Sequence, residues 1–219
     1  MSNEIENKLI LTDQCRENLT SYTVQAFNKI HKIHRPVILD IGCGTGVPSI
    51  ALLREIDDAF VVAVDQDEES LSWFRQKIDK LGFTERLKLI QASFFQTEKY
   101  QQKFDLILAE GILHIVGFQS GFLILKEMLE NNGYMIIHDE KKDIQKKKNI
   151  FNLNNFEIID CFELDRNIWW NDYFKCLEKS LSDLDDKQLF REEMNYIREF
   201  KKSPELFESV YFVLKKQVH

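Results

Sequence analysis

The stretch VILDIGCGTG (37–46) joins an apolar run, an aspartate and three alternate glycines. The apolar run predicts a buried strand. Glycine accepts positive φ and leaves no Cβ between the backbone and a ligand, so Gly42, Gly44 and Gly46 predict a tight ligand-facing turn. An open α/β sheet binds its ligands at such a turn, between a strand and the helix that follows it. The stretch therefore predicts a nucleotide-type site at the end of the first strand.

Two carboxylates narrow the kind of nucleotide. The glycine spacing is GxGxG, which is tighter than the GxGxxG of dinucleotide loops. Asp40 precedes the glycines, where a carboxylate disfavours a pyrophosphate and suits a cationic group such as an amino group or a sulfonium. Asp65 ends the apolar run FVVAV, and an acid at this place accepts hydrogen bonds from ribose hydroxyls.

Strand-like and helix-like segments alternate on both sides of this stretch, which predicts a parallel α/β sheet. The predicted strands are 37–41, 60–64, 87–91, 104–109 and 133–138, and the predicted helices are 47–56, 67–81 and 118–131. Before them, an apolar face predicts an N-terminal helix that Pro36 ends. That face consists of Leu19, Tyr22, Thr23, Phe27, Ile30 and Ile33.

The second half of the chain predicts a different arrangement. Residues 156–164 and 208–216 are predicted strands, and 167–202 is a predicted helical insertion with a break at 182–186. A last strand that follows such an insertion can enter the sheet antiparallel. We expect a single domain, divided into an N-terminal helical cap (1–35), a cofactor-binding core (36–140) and a substrate-side half (141–219).

Composition excludes several classes of protein. Of 219 residues, 44% are hydrophobic and 30% are charged, which indicates a globular chain. The net charge of -7 weighs against a nucleic-acid partner. The four cysteines form no CxxC pair, so we expect reduced thiols and no metal site. Neither a signal peptide nor an apolar run of roughly 20 residues is present, which predicts a cytoplasmic protein without membrane contact.

LDIGCGTG and VAVDQDEES resemble the first and second motifs of the class I S-adenosylmethionine-dependent methyltransferases. The resemblance implies S-adenosylmethionine as cofactor and a three-layer Rossmann-like αβα fold. Its seven-stranded sheet has six parallel strands and an antiparallel last one. It also implies that the three glycines pass under the methionine part of the cofactor, with Asp40 near its amino group and Asp65 on its ribose. The cofactor contacts predicted on this basis are Asp40, Gly42, Cys43, Gly44, Gly46, Asp65, Gln66, Ser93, Phe94 and Glu110.

The third motif departs from the family pattern. The family has an acid or amide near the adenine after the third strand, where LIQASFF places Ala92 and Ser93. Ser93 can form one hydrogen bond there. Phe94 either packs on the adenine or belongs to the core.

Candidate catalytic residues follow the fourth predicted strand. Enzymes of the class that act on DNA bases carry (Asp/Asn)-Pro-Pro-(Tyr/Phe) here, whereas this chain has AEGI, so we expect no DNA substrate. EGILHIVGF is similar to a bacterial and archaeal branch of small-molecule-type methyltransferases. Glu110 and His114 share one face if this turn is helical. Glu110 would contact the cofactor or a cationic substrate, and His114 would accept a proton, orient the substrate or serve only the structure.

Further candidates surround the expected acceptor. Trp169, Trp170 and Tyr173 either line its pocket or belong to the core, and Tyr22 is either a lid or a core residue. Glu140 is a site residue or a surface acid. The lysine-rich run 141–149 predicts a solvated helix face, with a contact to RNA or to an anionic substrate as the alternative. The predicted function is methyl transfer to a small molecule by a monomer or homodimer. The alternatives are an RNA or protein methyltransferase and a non-catalytic cofactor-binding protein.

Overall fold

A seven-stranded sheet organises the chain, whose computed structural model describes residues 3–182, 184 and 188–218. The strand order is β3-β2-β1-β4-β5-β7-β6, and β7 runs antiparallel to both β5 and β6. The predicted sheet, with six parallel strands and an antiparallel last one, is therefore confirmed. The strands are β1 (Val37–Ile41), β2 (Phe60–Asp65), β3 (Leu87–Gln91), β4 (Phe104–Glu110), β5 (Leu129–Glu140), β6 (Phe156–Leu164) and β7 (Ser209–Lys216).

Helices cover both faces of the sheet and form the region between β6 and β7, which we call the insertion. They are α1 (Asn3–Arg16), α2 (Thr20–Phe27), α3 (Val47–Glu55), α4 (Glu68–Leu81), α5 (Leu113–Val116), α6 (Phe118–Met128), α7 (Ile144–Leu153), α8 (Arg166–Trp169), α9 (Lys175–Ser182) and α10 (Arg191–Lys202). A π-helical turn, Trp170–Phe174, joins α8 to α9. None of the described helices is both long and apolar enough for a membrane span.

The central strands are buried on both faces because successive side chains point to opposite sides of a sheet. In β1, Leu39 and Ile41 pack in the core under α6 and α7, whereas Ile38 packs in the core under α2, α3 and α4. A third apolar core lies within the insertion and includes Cys15 from α1. Burial on both faces explains why these strands are apolar at nearly every position and not at alternate ones.

Local chemistry sets the ends of α4, the most clearly predicted helix. The Asp67 side chain accepts hydrogen bonds from the backbone N–H groups of Glu69 and Ser70, so it caps the amino end. Gly82 follows the last turn with a φ of 74°, the left-handed conformation that glycine adopts most easily. The prediction of a helix over 67–81 is confirmed to within one residue.

Two predicted boundaries are wrong. The N-terminal segment forms two helices, and the second ends at Phe27, well before Pro36, because the chain turns away through residues 28–36. The predicted helix 118–131 ends at Met128, since Leu129 already pairs with Phe104 in the sheet. An irregularity in the β4–β5 register lets β5 begin this early. The predicted break at 182–186 falls largely outside the described residues.

The expectation of four reduced thiols is also wrong. Cys15 on α1 and Cys176 on α9 form a disulfide with a Cα–Cα distance of 5.5 Å, although 161 residues separate them in sequence. The helices meet only through the tertiary fold, so cysteine spacing could not reveal the pair. Cys43 and Cys161 are free.

The sheet order places the ligand-binding edge. After β3 the chain returns to the other side of β1 and continues with β4. The loops that leave β1 and β4 therefore diverge, and they open a crevice at the carboxyl ends of these two strands.

Candidate active site

The glycine loop after β1 is held against β2 by backbone contacts. The N–H groups of Gly42 and Cys43 donate to the Val64 carbonyl at 2.8 and 3.1 Å. A Cβ on Gly46 would lie 2.1 Å from the Phe74 ring, whereas one on Gly44 would meet no atom within 4 Å. Gly46 thus permits close packing on α4, and Gly44 leaves space above the loop.

Asp65 fastens the top of this loop. Its carboxylate accepts hydrogen bonds from the Gly44 N–H at 2.7 Å and from the Asp67 N–H at 2.9 Å. A carboxylate has about four lone-pair sites, so acceptor capacity remains for the hydroxyls of a ligand. The same side chain can order the loop and receive a ribose.

Beside Asp65 lies a cavity of about 270 Å³, which we call the loop cavity. Its lining includes Gly42, Asp65, Gln66, Ser93, Phe94, Phe95 and Ile115. Phe95 and Ile115 are 59% and 70% exposed, so both offer apolar surface to a ligand in this cavity. The Ser93 hydroxyl accepts a hydrogen bond from the Phe95 N–H, and Phe94 is nearly buried.

Asp40 in β1 and Cys43 in the loop are both buried. Asp40 is only 2% exposed and accepts a hydrogen bond from the Ser49 hydroxyl at 2.6 Å. Burial raises the pKa of Asp40 to about 7, even though the Ser49 bond favours the ionised form. Burial also raises the pKa of the Cys43 thiol well above its usual value, so it is a neutral core residue.

A second cavity of about 210 Å³, the cap cavity, lies between the N-terminal helices and the ends of β4 and β5. Its lining includes Arg16, Thr23, Glu110, Gly111, His138, Trp169, Tyr173 and Tyr211. One Glu110 oxygen accepts hydrogen bonds from the hydroxyls of Thr23 at 2.8 Å and Tyr211 at 3.1 Å. Burial raises the Glu110 pKa, and these two bonds oppose that shift.

A third cavity of about 550 Å³, the insertion cavity, lies between the carboxyl ends of β4 and β5 and the insertion. Three of its lining residues, Gly111, His138 and Trp169, also line the cap cavity. The Ser209 hydroxyl joins two of them, since Trp169 Nε1 lies 3.0 Å and His138 Nε2 lies 2.7 Å from it. The wall shared by the two cavities thus contains two rings that are both held by Ser209.

His138 is neutral in this wall. Its ring stacks on Tyr211 with a centroid distance of 4.1 Å, and burial lowers its pKa to about 3. The wall therefore offers an uncharged polar edge.

His114 faces the insertion cavity and has a different environment. Its Nδ1 lies 3.1 Å from a buried Asp139 oxygen, and the other Asp139 oxygen lies 3.0 Å from the Lys147 ammonium. The hydrogen bond to Asp139 raises the His114 pKa, although partial burial opposes it. Asp139 fixes Nδ1, so only Nε2 is available to a ligand.

Glu110 and His114 do not share a helix face, because the helical turn that the prediction required does not include Glu110. Glu110 is the last residue of β4, and α5 begins only at Leu113, after Gly111 turns the chain with a φ of 70°. The turn directs Glu110 to the cap cavity and His114 to the insertion cavity.

Residues 34–201 match the family described as "Methyltransferase domain". The chain belongs to this family. The domain's cofactor is S-adenosylmethionine, as its motifs imply. A curated relative is the ribosomal RNA small subunit methyltransferase H of Pseudothermotoga lettingae, 28% identical over 114 residues that cover 52% of this chain and 38% of the relative. The matched regions span 20%, 38% and 35% of the first three curated relatives.

Solved structures share the fold at low sequence identity. The [4+2]-cyclase SpnF superposes with a TM-score of 0.77 at 13% identity, over 91% of this chain and 81% of that chain. A Geobacter sulfurreducens S-adenosylmethionine-dependent methyltransferase, solved with S-adenosyl-L-homocysteine, has a TM-score of 0.69 at 14% identity, over 92% and 91% of the two chains.

The candidate site brings together some of the predicted acceptor residues and leaves others apart. Trp169 and Tyr173 line the cap cavity, and Glu140 lines the insertion cavity. Trp170 instead stacks on Phe200 in the insertion core. The Tyr22 hydroxyl donates to Asp172 at 2.7 Å, so Tyr22 ties α2 to the insertion and lines none of the three cavities.

Several residues of the candidate site were not predicted from sequence. Arg16, Thr23, His138, Asp139 and Tyr211 reach it from α1, α2, β5 and β7. His138 and Asp139 end an apolar strand, as Asp40 and Asp65 do, and that signal could have found them. Nothing in the sequence around the other three marks them. No metal-binding group of His, Cys, Asp and Glu side chains occurs within the described part of the chain.

The predicted solvated face of the lysine-rich run is wrong at Lys147. This residue is buried, its ammonium pairs with Asp139, donates to the Glu140 carbonyl and lies 4.9 Å from the Phe118 ring centre. A charge in such a place needs a partner. Lys142 and Lys146 are exposed, as expected.

Proposed function

We propose that this methyltransferase transfers a methyl group from S-adenosylmethionine to a small molecule bound in the insertion cavity. The observation that carries the proposal is the wall that the cap and insertion cavities share at Gly111, His138 and Trp169. A cofactor in one cavity and an acceptor in the other would meet there. In-line displacement requires such an arrangement of donor and acceptor.

The residues present fit the cofactor in three parts. Asp65 would accept from the ribose hydroxyls in the loop cavity, with Phe95 and Ile115 against the adenine. Glu110 and Arg16 would face the charged methionine end in the cap cavity. When bound, S-adenosylmethionine supplies an electrophilic methyl group on a sulfonium.

His138 and His114 would have different roles at the acceptor. His138 stays neutral, so it adds no positive charge that would repel the sulfonium. His114 would take a proton from the acceptor through Nε2, and Asp139 would orient it and stabilise its charged form. Lys147 in turn balances the buried Asp139 carboxylate.

An RNA substrate is the second candidate, because a curated relative is named as a ribosomal RNA methyltransferase. The fold alone does not decide the reaction, since one structural neighbour is named as a cyclase. The burial of Lys147 removes one cation from the basic run, and the net charge of -7 opposes a polyanion.

The test is a labelling experiment with methyl-labelled S-adenosylmethionine and a cell extract separated into small molecules, RNA and protein. We expect label in the small-molecule fraction with the wild-type chain and loss of that label with Asp65→Ala. Label in RNA or protein would replace the proposed acceptor. No transfer to any fraction would favour a non-catalytic cofactor-binding protein.

A further inference from the structure

The charges around the insertion cavity are unevenly balanced. Asp139 is neutralised by Lys147, but Lys141 serves two acids at once, with Glu163 at 2.8 Å and Glu208 at 2.9 Å. Glu140, Glu199 and Glu208 line the cavity against a single lysine, Lys202. Within the part of the chain that the structure describes, neither Glu140 nor Glu199 forms a salt bridge. The lining of the cavity therefore carries an excess of carboxylates over lysines.

The remaining walls are apolar and largely aromatic. Trp169, Tyr196 and Phe207 line the cavity, and Leu206 is 72% exposed at its mouth. Together these residues offer an apolar surface to a ligand in the cavity. Aromatic faces also attract cations, and they do so more strongly when water is excluded.

We propose that the methyl acceptor is an amine carried on an apolar body. Its ammonium group would lie near Glu140, Glu199 and His114 of the cavity lining. The apolar body would lie against Tyr196, Leu206 and Phe207. The inference rests on the proposed function, because it names the class of molecule that occupies the same cavity.

The position of His114 in the cavity lining suits the chemistry of an amine. An ammonium nitrogen has no free lone pair, so it must lose one proton before it can attack. His114 Nε2 would receive this proton and pass it to water. The nitrogen lone pair then forms the bond to the methyl carbon, while the electrons of the broken sulfur–carbon bond stay on sulfur. The neutral His138 in the adjoining wall adds no positive charge beside the cation.

The test compares matched probes that differ only in charge. 2-Phenylethylamine, tryptamine and cyclohexylmethylamine are titrated, each beside its alcohol and carboxylate counterparts, into the S-adenosyl-L-homocysteine-loaded chain. Calorimetry and tryptophan fluorescence report binding. We expect at least one amine to bind about tenfold more tightly than its alcohol, and the carboxylates to bind most weakly. If no amine binds more tightly than its alcohol counterpart, the proposal is overturned.

Variants locate the effect in this cavity. Glu140→Gln and Glu199→Gln should weaken the amine about fivefold to tenfold and leave the alcohol unchanged. Glu205→Gln is the matched control, since Glu205 is an exposed acid on the neighbouring turn and does not line the cavity. If Glu140→Gln and Glu199→Gln bind the amine as tightly as Glu205→Gln does, the assignment of these two carboxylates to the amine site is rejected. Small-molecule labelling together with no amine preference would overturn only this inference, whereas label in RNA would overturn the proposed function.

Discussion

The loop side of the site is made by neighbouring strands, whereas the cap side is assembled from the two ends of the chain. On the loop side, Asp65 binds the Gly44 N–H across 21 residues of sequence, and backbone hydrogen bonds join the loop to Val64 of β2. On the cap side, Thr23 and Tyr211 meet at Glu110 across 188 residues. The first kind of contact depends on which residues permit the backbone path. The second depends on how helices dock.

Different residues of α1 bond to the loop side and to the cap side. Asp13 accepts hydrogen bonds from Thr45 in the glycine loop, Trp73 Nε1 and Lys77, all of which lie on the loop side. Cys15, two residues later, is bonded to Cys176 in the insertion. The helix that places Arg16 in the cap cavity is therefore anchored to both sides. We therefore expect substitutions on the loop side to act by straining the backbone or disturbing packing. Substitutions on the cap side should act by removing bonds between elements that are distant in sequence.

The largest effect is expected from Gly46→Ala. The new Cβ would lie 2.1 Å from the Phe74 ring, and the φ of 78° is one that alanine adopts only with strain. We expect a loss of about 3 kcal/mol or more in the free energy of unfolding, measured with urea. Gly44→Ala is the control, because its Cβ meets no atom within 4 Å; it should lose only about 1 kcal/mol. Equal losses would mean that packing on α4 does not limit the loop.

The next effect concerns the tie on the cap side. Cys15→Ser combined with Cys176→Ser should lower the free energy of unfolding by about 3 kcal/mol, because the disulfide closes a long loop. A reductant should destabilise the wild-type chain by a similar amount and leave the double variant unchanged. Cys161→Ser, at a free thiol, is the control. A wild-type chain that is equally stable with and without reductant would contradict the cross-link.

The same contrast explains what the sequence could predict. The strands, the glycine loop and Asp65 follow from residues close together in the chain, because burial on both faces of a parallel sheet requires continuous apolar runs. The antiparallel last strand was predicted from its place after a helical insertion. The resemblance of two short motifs then supplied the cofactor.

The cap side was harder to predict for a physical reason. Trp169 and Trp170 are adjacent and chemically alike, yet one lines the site and the other stacks on Phe200. The π-helical turn after Trp169 decides their directions, and no local pattern in the sequence marks it. Lys147 likewise looked like a surface lysine, because its partner Asp139 lies on another element. Docking of helices determines such roles, and one sequence does not contain that information in readable form.

Asp65→Ala tests the loop side by ligand affinity. The ribose would lose a charged acceptor, and the Gly44 N–H would lose its partner. We expect the affinity for S-adenosyl-L-homocysteine to fall about 30-fold in calorimetry, as for a hydrogen bond to a charged group. Glu68→Ala, an exposed acid in the first turn of α4, should bind normally. An unchanged affinity in Asp65→Ala would remove Asp65 from the cofactor site.

A smaller effect, in pH dependence, tests the acceptor side. The hydrogen bond that His114 Nδ1 donates to Asp139 raises the pKa of His114, and a general base must be neutral to accept a proton. The wild-type rate should therefore fall as the pH drops through a pKa above 6.5. Asp139→Asn with Lys147→Met removes the carboxylate and its buried counter-charge together, so the acid limb of the rate should move to lower pH. Proton NMR of the His114 ring gives an independent reading. If its pKa moves down while the acid limb stays in place, another group accepts the proton.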